Sequence, residues 1–209
     1  MKKILISLLS VLLLTAASVC AQTPEEIIAR MDQEKSRFDK EGFSMVMEMK
    51  LPLLGTFSTK VFSLGDKYKM LATIKDKQAV NWSDGVTDWE YDASKNEITV
   101  KNAKPHEKTQ AEDNAGVLDS VTEGYDVKLT KETDKAWYFY CKKSKTNKNK
   151  DDPKAIDLVV SKATYLPIST SVKEKGITIT LRDFSVGVSD EEVTFNPADY
   201  PDAKIIDQR

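Results

Sequence analysis

The chain has 209 residues, with 31 Lys and Arg against 33 Asp and Glu, one His and two Cys. This near-neutral, slightly acidic balance excludes the broad basic surface that nucleic acid requires, so no nucleic-acid partner is expected. One histidine and two cysteines leave little for a zinc or redox centre, and no cofactor or metal is expected.

The N-terminus reads MKKILISLLSVLLLTAASVCAQ: Lys2 and Lys3, an apolar run from Ile4 to Leu14, then small residues leading to Val19-Cys20-Ala21. That is the pattern of a secretory signal peptide over residues 1–21, with cleavage expected between Ala21 and Gln22. The apolar run is too short for a membrane span. Lipid anchoring at Cys20 needs a small residue before the cysteine and finds Val19, so it is the weaker alternative. Residues 22–209 are expected to form a single exported domain in the periplasm. Cys141 is then the sole cysteine, alternating with Trp137 and Phe139 in AWYFYC, and a buried, inert thiol is expected.

TPEEIIARMDQEKSRFDK predicts a helix. Thr23 caps it, Pro24 fits its first position, and Glu26 completes a capping box with Thr23. Ile27, Ile28, Met31 and Phe38 make one apolar stripe, which must lie on something.

After Gly42 the period becomes strand-like. FSMVMEMKL places Phe43, Met45, Met47, Met49 and Leu51 on one side of an extended chain and Ser44, Val46, Glu48 and Lys50 on the other. Strands usually carry β-branched and aromatic residues, whereas methionine suits a surface that must adapt its shape. Gap-filling in a packed core and the wall of a cavity for an apolar ligand both remain open, the packed core being the simpler reading.

Alternation recurs in Tyr68/Met70/Ala72/Ile74, Ile98/Val100, Tyr125/Val127/Leu129, Trp137/Phe139, Ile156/Leu158/Val160 and Ile177/Ile179/Leu181. About eleven one-sided antiparallel strands follow, with no βαβ spacing. In QAVNWSDGVTDWEYD, Asp84-Gly85 predicts a two-residue hairpin turn. Pairing Ser83 with Val86 then sets Trp82 against Thr87, Val80 against Trp89 and Gln78 against Tyr91, one aromatic face of the ribbon. PHEKTQAEDNAGVLDS, residues 105–120, breaks the pattern and reads as a short helical cover. KKSKTNKNKDD, residues 142–152, reads as a charged loop.

Catalysis finds little footing. His106 sits on a polar segment, no G-x-S-x-G accompanies the serines, and no Gly-rich phosphate loop occurs. The acidic runs Asp151-Asp152 and Asp190-Glu191-Glu192 lack calcium-loop spacing. No enzyme is expected.

Several of these segments, in this order, resemble the LolA family of outer-membrane lipoprotein carriers: the N-terminal helix, the first strand FSMVMEMK, the hairpin SDGVTDWEYD, and the ending ITITLRDFSVGVSDEEVTFNPADYPDAKIIDQ. The likeness covers nearly the whole chain after the leader. It departs from the family at Gly65-Asp66-Lys67, where well-known carriers have an arginine beside a proline.

The resemblance implies a mainly β fold of the α+β class: an unclosed antiparallel half-barrel of about eleven strands, with the N-terminal helix and the central segment as lid. It also implies a carrier that binds lipoprotein acyl chains and moves them from an inner-membrane ABC release complex to an outer-membrane acceptor, making and breaking no bond. The lipid pocket expected on this basis comprises Phe43, Met45, Met47, Met49, Tyr68, Met70, Ile74, Val80, Trp82, Trp89 and Tyr91, with Ile27, Met31 and Phe38 as lid. The alternatives are a periplasmic sensor of lipid or lipoprotein that reports to a membrane partner, and a packed structural or interaction module.

Overall fold

The structure, a computed structural model, describes residues 22–74, 77–103, 124–150 and 152–209. The expected leader and the expected cover at residues 105–120, with His106, lie outside the described residues.

Helix α1 (Pro24–Glu41) starts as its sequence dictates. The Thr23 hydroxyl accepts from the Glu26 N–H at 3.2 Å, and the Glu26 carboxylate accepts from the Thr23 N–H at 2.9 Å. It stops at Gly42, whose φ of 72° favours glycine. A Cβ there would also stand 2.6 Å from the Ser63 carbonyl oxygen, so no other residue fits.

Twelve strands follow among the described residues: β1 (Phe43–Leu51), β2 (Gly55–Leu64), β3 (Lys67–Ile74), β4 (Lys77–Ser83), β5 (Thr87–Asp92), β6 (Glu97–Asn102), β7 (Tyr125–Glu132), β8 (Ala136–Lys143), β9 (Ala155–Ser161), β10 (Pro167–Glu174), β11 (Ile177–Val186) and β12 (Lys204–Asp207). A short helix α2 (Asp190–Val193) lies between the last two. All twelve form one sheet in the order β12-β6-β5-β4-β3-β2-β1-β11-β10-β9-β8-β7. Its edge strands β12 and β7 do not meet, so the sheet is an unclosed half-barrel. Every pairing is antiparallel except that of β12 with β6. The twelfth strand exceeds the expected eleven because KIID is too short for alternation to reveal, and it is held by parallel pairing with Glu97 to Val100.

Residues paired across a sheet share a face, so the register traces two surfaces. On the first, Ala72, Thr59, Met47, Leu181, Thr170, Leu158, Phe139 and Leu129 form one row from β3 to β7. A second row runs Phe57, Met49, Ile179, Val172, Ile156, Cys141 and Val127. Helix α1 lies on this face. Ile27, Ile28 and Met31 cluster with Phe139, Cys141, Ile156 and Leu158, while Phe38 clusters with Phe43, Met45, Val61 and Leu181.

Beyond β3 the same face turns polar, since Met70 is paired with Asn81, Asn81 with Glu90, and Glu90 with Thr99. The apolar residues of β4, β5 and β6 occupy the opposite face, where Leu71, Val80, Tyr91 and Ile98 form one row and Trp82, Trp89 and Val100 another. The hydrophobic side of the sheet therefore changes over at β3. That second face is covered by the chain's own C-terminal segment: Phe195 stands 5.3 Å from Trp82 and from Trp89, and Tyr200 stands 4.6 Å from Tyr91.

The β4–β5 hairpin differs from the sequence expectation. Ser83 is paired with Asp88, Trp82 with Trp89 and Val80 with Tyr91. The turn centres on Gly85 and Val86 because the Asp84 carboxylate accepts from the Val86 and Thr87 N–H groups, at 2.9 and 2.7 Å. Gly85, at φ 83°, thus takes the first central position, a place that glycine fills in type II′ hairpins. Each residue's partner lies two residues beyond the expected one, an even shift, so the aromatic residues keep a common face.

Candidate functional site

The residues expected to line one pocket fall into two groups that the sheet separates. Phe43, Met45, Met47, Met49, Tyr68 and Met70 lie on the face under α1. Val80, Trp82, Trp89 and Tyr91 lie on the other face, against Phe195 and Tyr200. The two groups do not form the single lining expected: Leu71 is paired with Val80 and Met70 with Asn81, so β3 and β4 present opposite alternation to each face. Ile74 ends β3 opposite Lys77; its side chain lies outside the described residues.

Within the methionine group burial is graded. Phe43 and Met45 are buried beneath Phe38, whose ring centroid stands 5.1 Å from that of Phe43 and 6.4 Å from that of Phe184. Met47, Met49, Met70, Phe57 and Ile179 are only half-buried. The adaptable end of the face is therefore the end nearest the β1–β2 turn. Sequence reading did not assign Val61, Ile179, Leu181 or Phe184 to this surface, although the alternation of β11 carried the signal; only its pairing with β1 shows where that alternation points.

The three residues expected as a lid touch this face at two places. Ile27 and Met31 are fully buried over β8 and β9, and Phe38 is buried over β1. A separate groove of about 320 Å³ between α1 and β7 is lined by Glu25, Ile28, Ala29, Asp32, Tyr125 and Val127. Two carboxylates on its wall and the absence of any methionine from its lining set it apart from the methionine face.

Two titratable groups beside the apolar face, Cys141 and Tyr125, are buried. Cys141 is fully buried, and burial pushes its thiol up to about 12. Burial likewise raises the Tyr125 phenol to about 12, and its hydroxyl donates to the Pro153 carbonyl at 2.8 Å. Among the described residues no cluster of His, Cys, Asp and Glu is placed to hold a metal ion. Among them too, no helix is long and apolar enough to cross a membrane.

No family model matches this chain, and no curated protein does. Among solved structures it is similar to an uncharacterized conserved protein from Thermus thermophilus, at 12% identity over 90% of this chain and 100% of that one, with a TM-score of 0.46. It is similar to a chain of the Pseudomonas aeruginosa MucA/MucB complex, at 11% identity over 82% of this chain and 60% of that one, TM-score 0.43. It is also similar to a LolA superfamily protein from Nitrosomonas europaea, at 13% identity over 84% of this chain and 99% of that one, TM-score 0.32. These likenesses are remote, and the fold stands on strand order and register.

Proposed function

We propose that the protein is a periplasmic carrier that binds the acyl chains of lipoproteins on its methionine face and moves them from inner to outer membrane without catalysis. The observation that supports this is the apolar face running from β3 to β7 with an amphipathic helix laid over it and half-buried methionines at one end. Acyl chains vary in length and bend, so a wall for them should be apolar, adaptable and poor in directed polar groups.

Magnitudes are compatible with α1 acting as a displaceable cover. Lifting Ile27, Ile28, Met31 and Phe38 into water costs about 1.5–3 kcal/mol each, roughly 6–12 kcal/mol together. Burying an acyl chain of about sixteen carbons contributes about 12 kcal/mol at about 0.8 kcal/mol per methylene. Cargo and helix thus compete for the same surface at similar strength.

The test is native mass spectrometry of the protein purified after export. Co-purified lipid or acylated protein is expected, and Met47→Glu, which sets a charge in the wall, should lose it. An unchanged mass after incubation with lipoprotein would sink the carrier reading. A packed structural module is the second reading, favoured by the complete burial of Ile27 and Met31, and that result would support it. Loading without lipoprotein mislocalisation in a deletion strain would point instead to a sensor.

A further inference from the structure

The turn joining β1 to β2 is Pro52-Leu53-Leu54, and its leucines are exposed: Leu53 fully and Leu54 to 71%. Leu53 also adopts φ 65°, a left-handed conformation that glycine or asparagine takes at lower cost. A large apolar side chain therefore stands at the very tip of a hairpin where local geometry favours a small or polar one. The neighbouring turn at Lys175-Gly176 lies against it, since a Cβ on Gly176 would stand 3.3 Å from Pro52 Cγ.

The charges around these two tips are mostly of one sign. Lys50, Lys173 and Lys175 are exposed. Lys50 and Lys173 both pair with Thr178, so they share one row on the sheet side opposite the methionines. Glu174 is the one carboxylate in the two tips, and Glu48, the next on β1, is occupied by Arg182 through two hydrogen bonds of 2.9 and 3.0 Å. Exposed leucines with a collar of ammonium groups match the two layers of an anionic bilayer interface: acyl boundary below, phosphates above.

We propose that the β1–β2 tip docks on anionic lipid: Leu53 and Leu54 enter the bilayer interface while Lys50, Lys173 and Lys175 meet its phosphates. Resting on the carrier reading, docking has a further use. Met49, paired with Phe57 and Ile179, lies two residues before Leu51 at the base of the tip. An acyl chain leaving that end of the face would meet lipid without crossing open water.

The test is flotation of the exported protein with vesicles of phosphatidylethanolamine and phosphatidylglycerol, against vesicles of phosphatidylcholine. The wild type is expected to float with the anionic vesicles alone, and less so as salt rises. The double variant Leu53→Asp/Leu54→Asp, checked for folding by circular dichroism, should lose about tenfold or more in binding. Lys50→Glu/Lys175→Glu should lose a comparable share. Met47→Glu separates the two readings: it should float normally while failing to take up a fluorescent fatty acid in vesicle-free solution, whereas the leucine variant should do the reverse. Absence of wild-type flotation, or unchanged flotation of the leucine variant, overturns the docking proposal and leaves the carrier reading to its own assay. Capture of a membrane protein through this tip without vesicle binding overturns it equally, in favour of a protein partner.

Discussion

The ring of Phe195 stacks on Trp89, 5.3 Å between centroids and 22° between planes, on the side of the sheet away from the methionines. The C-terminal segment is thereby the cover of one apolar face, as α1 is of the other. Half-buried Phe195 also meets Trp82 edge-on. Phe195→Ala should therefore cost about 2 kcal/mol of stability in urea denaturation and leave fatty-acid uptake of the folded protein unchanged. A loss of uptake as large as that of Met47→Glu would contradict the separation of the two faces.

Thr170 occupies the middle of the methionine row, paired with Leu181 and Leu158, and is 1% exposed. Its hydroxyl is, among the described residues, the buried side-chain oxygen without a hydrogen-bond partner. Thr170→Val keeps the shape and removes the unsatisfied group, so it should raise stability by about 1–2 kcal/mol. Thermal unfolding would show this as a higher midpoint, and a lower one would mean that the hydroxyl has a partner.

Glu48 and Arg182 join β1 to β11 through a bidentate contact on the outer face. The hydrogen bonds from Arg182 hold the Glu48 carboxyl below its ordinary value of 4.5. A depressed folded value means that the contribution to stability is present above 4.5 and is lost as pH falls through the folded value. Urea midpoints of Glu48→Gln should accordingly change less than those of the parent on acidification below 4.5. Equal acid sensitivity in the two proteins would show that this contact is not what acid removes.

Cys141 is fully buried in the cluster beneath α1, with its thiol raised to about 12 by burial. Native protein should resist a thiol reagent at neutral pH and react fully in urea. Acyl-chain loading that lifts α1 would expose part of this cluster, so labelling should quicken on addition of fatty acid. An unchanged rate in protein shown to be loaded would mean that α1 stays seated while cargo binds.

The boundaries of α1 were legible in the chain because capping is local: Thr23, Pro24 and Glu26 act within one turn, and Gly42 ends the helix where only glycine fits. Alternation likewise marked most of the strands, since the pleat sends successive side chains to opposite faces. Three short or mixed strands, KIID, GTFSTKVFSL and PISTSVKE, were not marked: four residues carry no period, Thr59 separates Phe57 from Val61 on their shared face, and Thr170 shares the face of Val172 in the third. At the β4–β5 hairpin the Asp-Gly pair signalled a turn, but the hydrogen bonds to the Asp84 carboxylate decided which residue led it. Alternation inside one strand cannot tell which of its faces continues which face of the next. Met70 and Val80 both lie at even positions of apolar strands, yet the pairing of Leu71 with Val80 sets them on opposite sides of the sheet. Local signals in the chain specify the helix, most of the strands and an apolar methionine face; that the methionines and the tryptophans line different surfaces follows from register, which fixes parity between neighbouring strands.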